Sequence, residues 1–190
     1  MGAYRGRVDM ISEGRELARA KLAFEVPQRW GHAQATGKEA ERIAPAFGAD
    51  ATVLATAAWL LDVGHAPELA QTGFAPLDGA NYLRAEGWLP RLVDLVAHRS
   101  ASGSEATTRG LRTEYAAFAD EQSPTRDALW YCDIVIGPNG EWADVDARIT
   151  ELTSGYGAGD VAARTAAKAR EELAAAVRRT RQRLKGKGLA

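Results

Sequence analysis

Several residue types that act in catalysis, bind metal ions or form disulfides are scarce in this chain. Its 190 residues include one cysteine, three histidines and two methionines. The single cysteine, Cys132, excludes an intramolecular disulfide, and a chain of this length can bury a full core without one. Because the residues around Cys132 are apolar, we expect its thiol to be buried and unreactive.

An excess of charge of either sign is also missing. Lys and Arg total 24, Asp and Glu total 25, and the formal net charge is -1. A nucleic-acid-binding protein usually shows a basic balance or stripe, so nucleic acid is not an expected partner. No apolar run reaches the roughly 20 residues of a membrane span, and the first residues have no apolar signal core. The sequence predicts a cytoplasmic protein with a small-molecule substrate and no membrane partner, and it leaves a homodimer open.

Strand patterns are almost absent from the sequence, and helical spacing recurs along its length. The segment 51–63 is nearly all apolar, which predicts a helix in the centre of an all-α protein, with Asp50 as its N-cap and Gly64 at its end. We predict a single compact all-α domain over residues 1–184 and a frayed tail over 185–190. The other predicted helices lie near residues 10–24, 27–48, 89–98, 105–119, 125–136, 145–152 and 160–184, and one more begins at residue 76.

Polar residues that can carry chemistry interrupt the apolar helices. The three histidines, His32, His65 and His98, lie on or beside three different predicted helices. Asp62 closes the apolar helix 51–63, and Asp133 interrupts a later apolar helix. A carboxylate in such a place is costly unless it is paired, hydrogen-bonded or metal-bound. Side chains that project from several helices can form a site in the core of a bundle, although each residue alone is also compatible with a structural role.

The order of these residues resembles that of the HD-domain family of metal-dependent phosphohydrolases. In that family a histidine, an adjacent His-Asp pair and a distant aspartate hold a divalent metal ion. The resemblance covers about residues 10–180, and its most specific part is Leu-Leu-Asp-Val-Gly-His-Ala-Pro at 60–67. It implies an HD-domain helical bundle, with His32, Asp62 and Asp133 as the ligands if a metal ion is retained. Further matching stretches lie at 29–32, 72–80, 95–100 and 131–133.

The chain departs from the family pattern at the His-Asp pair, where Leu61 stands in place of the histidine. Family members often carry histidine where Ala75 and Arg99 stand as well. Leucine has no donor atom, and the remaining ligands belong to a geometry that used four. We therefore expect no cofactor and keep a divalent metal ion as the alternative. His65 either replaces the missing imidazole or faces the substrate, and the sequence does not decide between these.

The first functional hypothesis is an HD-fold enzyme with a degenerate metal site. It would act on a small metabolite by metal-independent acid–base chemistry, as in proton transfer, elimination, isomerisation or cyclisation. His98 and His65 are the predicted acid–base groups, and Asp62 would orient an imidazole, because burial and neighbouring charge can tune such groups toward neutral pH. Arg29, Arg99 and Asp78 are the predicted substrate-binding residues, the two arginines for an anionic group.

Two further hypotheses come from other classes of function. One keeps the family's chemistry, the hydrolysis of a phosphate ester or nucleotide with a metal ion held by the reduced ligand set. The other is a non-catalytic binding or scaffold domain whose pocket has filled with apolar residues such as Leu61. The retained carboxylates of Asp62 and Asp133 argue against this last hypothesis.

Overall fold

Helices make up most of the protein, as the sequence predicts. The computed structural model describes residues 7–154 and 160–189. Within these ranges the fold is all-α, and the one sheet-like feature is an isolated bridge between Ile136 and Trp142. The helices are α1 (Arg7–Leu22), α2 (Pro27–Ile43), α3 (Ala51–Leu60), α4 (Ala75–Ala85), α5 (Pro90–Ala97), α6 (Ser102–Thr108), α7 (Arg112–Tyr115), α8 (Pro124–Val135), α9 (Val145–Ser154) and α10 (Asp160–Gly186).

Helix α3 lies at the centre of the bundle. Its residues from Leu54 to Leu60 are all buried, and α1, α2, α5 and α8 pack around it. Fully burying a leucine side chain contributes about 1.5–3 kcal/mol relative to leaving it in water. The prediction of a central apolar helix is confirmed, and it explains why polar residues at the end of α3 are carried into the core.

Both ends of α3 differ from the sequence prediction. The Asp50 side chain does not cap the helix. A 3-10 segment, Ala44–Asp50, runs directly into α3, and the N–H of Ala51 donates to the carbonyl oxygen of Gly48. The Asp50 carboxylate instead binds Arg91 and the hydroxyl of Thr125. The helix ends at Leu60 rather than near residue 63, and a second 3-10 segment, Val63–His65, follows Asp62.

Gly64 lets α4 approach the turn that follows α3. A Cβ atom at Gly64 would lie 2.0 Å from the carbonyl oxygen of Ala75 and 2.5 Å from the backbone nitrogen of Gly79. Both contacts are backbone atoms that cannot give way. Glycine is therefore required here by close packing, and this packing fixes the turn that carries Asp62 and His65.

Helix α8 carries Asp133 through the interior. Pro124 occupies its first turn, and Ser123 caps it by accepting from the N–H groups of Thr125 and Arg126. Every residue of α8 after the proline is buried, including Cys132, as predicted. Burial raises the pKa of the Cys132 thiol well above its usual value, so the thiol is unreactive at neutral pH.

Two segments correct the sequence predictions. The single helix predicted over 105–119 is two short helices, α6 and α7, separated by Gly110 at a φ of +75°. The C-terminal tail is not frayed as far as residue 189. The N–H groups of Gly188 and Leu189 donate to the carbonyls of Lys185 and Leu184, a Schellman cap, and Leu189 packs against the core.

The stretch Pro27–His65 is long and apolar enough, in one window, to resemble a membrane-spanning helix. In the structure Gly48, at a φ of +55°, divides this stretch between α2 and α3. The central helix of a bundle passes the same compositional test, and 56% of the window is buried inside the protein.

Candidate functional site

Three of the predicted site residues meet in the interior. His32 of α2 lies between two carboxylates: its Nδ1 is 2.6 Å from Oδ2 of Asp62, and its Nε2 is 3.3 Å from Oδ1 of Asp133. The side chains of His32 and Asp62 have no exposed surface, and Asp133 is also buried. These three residues are called the buried cluster below.

The elements around α3 bring the cluster together. His32 lies in the second turn of α2, Asp62 follows the last turn of α3, and Asp133 lies near the end of α8. Both α2 and α8 pack against α3. Because the residues of α3 between them are apolar, the three polar side chains are held mainly by one another and by a nearby turn.

That turn is the 3-10 segment Arg99–Ala101, which directly follows α5 and His98. Ser100 and Ala101 have φ values of +40° and +59°, a conformation that is unfavourable for residues other than glycine. The turn supplies one donor to each carboxylate. Arg99 Nη1 donates to Oδ1 of Asp62, and the hydroxyl of Ser100 donates to Oδ2 of Asp133. The strained backbone thus holds two side chains against the buried cluster.

Arg99 forms the centre of the polar contacts around Asp62. Its Nη1 also donates to the carbonyl oxygen of Leu61 at 3.1 Å, and its Nη2 lies 3.0 Å from Nε2 of His65. A guanidinium has donors only, so Nε2 of His65 must accept, and the proton of a neutral His65 lies on Nδ1. Arg99 thereby joins a carboxylate to a neutral imidazole.

The pKa values of these groups follow from burial and from their neighbours. Burial lowers the pKa of His65, the positive charge of Arg99 lowers it further, and the result is about 3. Burial alone would raise the pKa of Asp62, but the charges of His32 and Arg99 hold it well below its usual value. Burial opposes the charge on His32, and Asp62 outweighs it, so the pKa of His32 is raised. Asp62 therefore favours the charged form of His32, and His65 is neutral at pH 7.

Two arginines and the neutral imidazole of His65 lie on the outer side of Asp62. Arg29 Nη1 is 3.9 Å from Oδ1 of Asp62, and its side chain is 35% exposed. His65 is 25% exposed and Arg99 is 13% exposed. A molecule that approaches from solvent would meet these three groups before it met the sealed carboxylate. The electrostatic character of this entrance suits an anion.

His98 is not brought into the buried cluster, so the expectation that it faces the other three residues is not met. Its Nε2 lies 3.0 Å from the carbonyl oxygen of Phe118, and its Nδ1 lies 3.0 Å from the hydroxyl of Tyr115. Since a carbonyl only accepts, Nε2 of His98 donates to Phe118. Both nitrogens are used to hold the end of α5 against α7.

Asp78 also lies away from the buried cluster. Its carboxylate accepts from the backbone N–H and the hydroxyl of Thr72 and from the N–H of Gly73. These bonds order the loop that precedes α4. The predicted substrate-binding role gains no support from this geometry, because both carboxylate oxygens already serve the loop.

Ser100 was not among the site residues predicted from the sequence. It is a small polar residue next to Arg99, and its one signal was its place in the stretch 95–100 that resembles the family. The backbone at Ser100 is left-handed and directs its hydroxyl toward Asp133. Glycine and asparagine are the residues that usually adopt this conformation, so a serine does not predict it.

The residues around Asp62 do not fit a metal ion in this arrangement. Among the described residues, no group of three or more His, Cys, Asp or Glu side chains has a spacing that could hold one. One oxygen of Asp62 is bound by His32 and the other by Arg99. The cationic guanidinium therefore occupies the carboxylate that the family resemblance assigns to the metal.

Comparisons with family models, with curated proteins and with solved structures found no match for this chain. The two cavities described in the protein, of about 410 and 390 Å³, lie away from the buried cluster. One is lined by residues of α9 and α10 and the loop before α9, and the other by residues of α8 and α10. Chemistry and charge, rather than cavity size, thus single out the entrance beside Asp62.

Proposed function

We propose that the protein is an HD-fold enzyme that acts on a small anionic metabolite by metal-independent acid–base chemistry. The observation that carries this proposal is the position of Arg99, whose guanidinium binds the buried carboxylate of Asp62 and Nε2 of His65. An arginine there supplies the positive charge that balances Asp62. It also provides a group that can hold the substrate.

Substrate binding is assigned to Arg29 and Arg99. Both are partly accessible, both lie beside Asp62, and both carry a permanent positive charge. A carboxylate or phosphate group held between them would add negative charge beside His65 and offset the arginine charges that lower its pKa. Binding of the anion would also draw Nη2 of Arg99 away from Nε2 of His65.

His65 is then the proposed acid–base residue. Its freed Nε2 could accept a proton from the substrate and return it, and Asp62, with an oxygen 3.6 Å from Nε2, would stabilise the imidazolium. A positioned acid or base typically contributes a factor of about 10²–10⁴ to a rate. Proton transfer, elimination, isomerisation and cyclisation all use such a step.

The test is a screen of small carboxylates and phosphate esters in the presence of a chelator, first for binding and then for turnover. For any hit, His65→Gln should lower kcat by about 10²–10⁴ and leave binding largely intact. Arg29→Gln should weaken binding. Arg112→Gln, at an exposed position of α7, is the matched control and should change neither quantity. A His65→Gln variant with the kcat of the wild type would refute the assignment.

A second candidate, a metal-dependent phosphohydrolase, is favoured by one observation. Nε2 of His32 faces Asp133 at 3.3 Å without the geometry of a hydrogen bond, which is the position of one metal ligand beside a second. Arg99 would have to leave Asp62 for this function. Leu61→His should then increase metal uptake, measured by elemental analysis, and the same change combined with Asp62→Asn is the control. If no compound is turned over, and Arg29→Gln and Asp62→Asn both leave ligand binding unaltered, a scaffold domain becomes the better proposal.

A further inference from the structure

Two polar atoms on the inner side of α2 have no hydrogen-bond partner among the described residues. They are Nε2 of His32 and the hydroxyl oxygen of Thr36. Both side chains are fully buried, and residues four apart on a helix lie on the same face. The two atoms therefore face one small region of the interior, on the side of His32 that points away from Asp62.

A buried carboxylate borders the same region. Oδ1 of Asp133 lies 3.3 Å from Nε2 of His32. Buried polar atoms in native proteins are almost always satisfied, by protein or by an ordered water. The two unsatisfied atoms of α2, one of them beside this carboxylate, thus point to a bound molecule.

We propose that this region is a binding site for one ordered water molecule. The water would accept from Nε2 of His32, donate to Oδ1 of Asp133 and share a hydrogen bond with Thr36, which gives the three bonds that a buried water typically makes. An anion fits less well, because the Asp133 carboxylate that borders the site would repel it. The residues are sealed from solvent, which suits a permanent structural water rather than part of a substrate.

The water would complete a chain of hydrogen bonds from Asp62 through His32 to Asp133. Such a chain joins the two carboxylates into one unit, so a change of charge at either would be felt by the other. This inference does not depend on the proposed enzyme activity, because it rests on the unsatisfied atoms alone.

Thr36→Val tests the proposal, since it removes the hydroxyl and keeps the shape. If the hydroxyl binds the water, the Tm of the full-length protein should fall by about 2–4 °C, and Thr36→Ser should recover most of the loss. If the hydroxyl is truly unsatisfied, its removal should leave the Tm unchanged or raise it, which would overturn the proposal.

A direct measurement guards against an indirect effect of the valine on helix α2. A high-resolution crystal structure of the wild type should show density for one water within hydrogen-bond distance of His32 Nε2 and Thr36, and the Thr36→Val crystal should lack it or show it displaced. Empty density in the wild type would refute the site. Thermal unfolding should also be measured at increasing concentrations of chloride, acetate and phosphate. If the Tm difference between wild type and Thr36→Val grows with one anion, the site binds that anion and the water proposal is wrong.

Discussion

Two clusters of arginine and acidic residues in this protein differ in their exposure to water, and the exposure determines how much each ion pair contributes to stability. In the interior, Asp62 has no exposed surface and its partner Arg99 is 13% exposed. At the start of α3, Arg91 binds Asp50 and Glu121 with side chains that are 42%, 36% and 21% exposed. The residue types and the distances are similar. Water can replace a lost partner in the second cluster but not in the first.

The difference has a direct energetic consequence. Removing one member of a buried ion pair leaves the other charge uncompensated in a medium of low dielectric, which costs about 3–5 kcal/mol. Exposed pairs contribute about 0–1 kcal/mol and weaken with salt. The buried cluster should therefore be intolerant of single changes, and the surface cluster should tolerate them. Four experiments test this difference between the two clusters.

Asp62→Asn should have the largest effect. The change leaves Arg99 and a protonated His32 without their shared carboxylate, so the free energy of unfolding should fall by about 3–5 kcal/mol. Urea denaturation gives the value, and Asp50→Asn in the surface cluster is the matched control. Equal, small losses for the two variants would contradict the distinction between the clusters.

Arg99→Met should come next. It removes the positive charge and keeps much of the side-chain length, and Asp62 retains His32, so a loss of about 2–4 kcal/mol is expected. The same variant should raise the pKa of His65 from about 3 toward its usual 6.5, which NMR titration of the imidazole can follow. A pKa that stays near 3 would mean that burial alone sets it.

The pH dependence of stability should carry a contribution from His65. Its pKa is about 3 in the folded protein and near 6.5 when unfolded, so below pH 6.5 the unfolded chain binds the proton more readily. The contribution is complete above pH 6.5 and is lost as the pH falls toward 3. Discounted for partial exposure, the loss at pH 4.5 is about 1–2 kcal/mol. His65→Gln should lose less stability over this window, and parallel curves for the two proteins would exclude the effect.

Arg91→Ala should have the smallest effect. Its partners Asp50 and Glu121 stay in contact with water, so the loss should be below about 1 kcal/mol and should shrink in high salt. Chemical denaturation at low and high salt measures both quantities. If Arg91→Ala lowers the free energy of unfolding by several kcal/mol, and the loss persists in high salt, the surface cluster behaves like the buried cluster and the comparison is wrong.

The sequence was informative about the fold because apolar periodicity is a local property. The uninterrupted apolar run of α3 predicted a central helix, and Pro27 and Pro90 marked helix starts that the structure confirms. Helix ends were less predictable. Asp50 is a good capping residue in isolation, but Arg91 and Thr125, far away in the sequence, bind its carboxylate instead.

The candidate site was predictable in part for a similar reason. A buried carboxylate needs partners, so the meeting of His32, Asp62 and Asp133 could be foreseen from apolar surroundings and family resemblance. The direction of His98 could not, because it depends on Tyr115 and Phe118 in a region where the predicted helix is wrong. Nor could the pairing of Arg99 with Asp62, which requires the left-handed backbone at Ser100.

Elemental analysis shows directly whether the guanidinium of Arg99, rather than a metal ion, is the cation that balances Asp62. The protein should be purified without chelator or metal-binding tag, and its Tm should be measured before and after chelation. We expect far less than one divalent ion per chain and a Tm that does not change on chelation. One ion per chain, with a Tm that falls on chelation and recovers on metal addition, would contradict it.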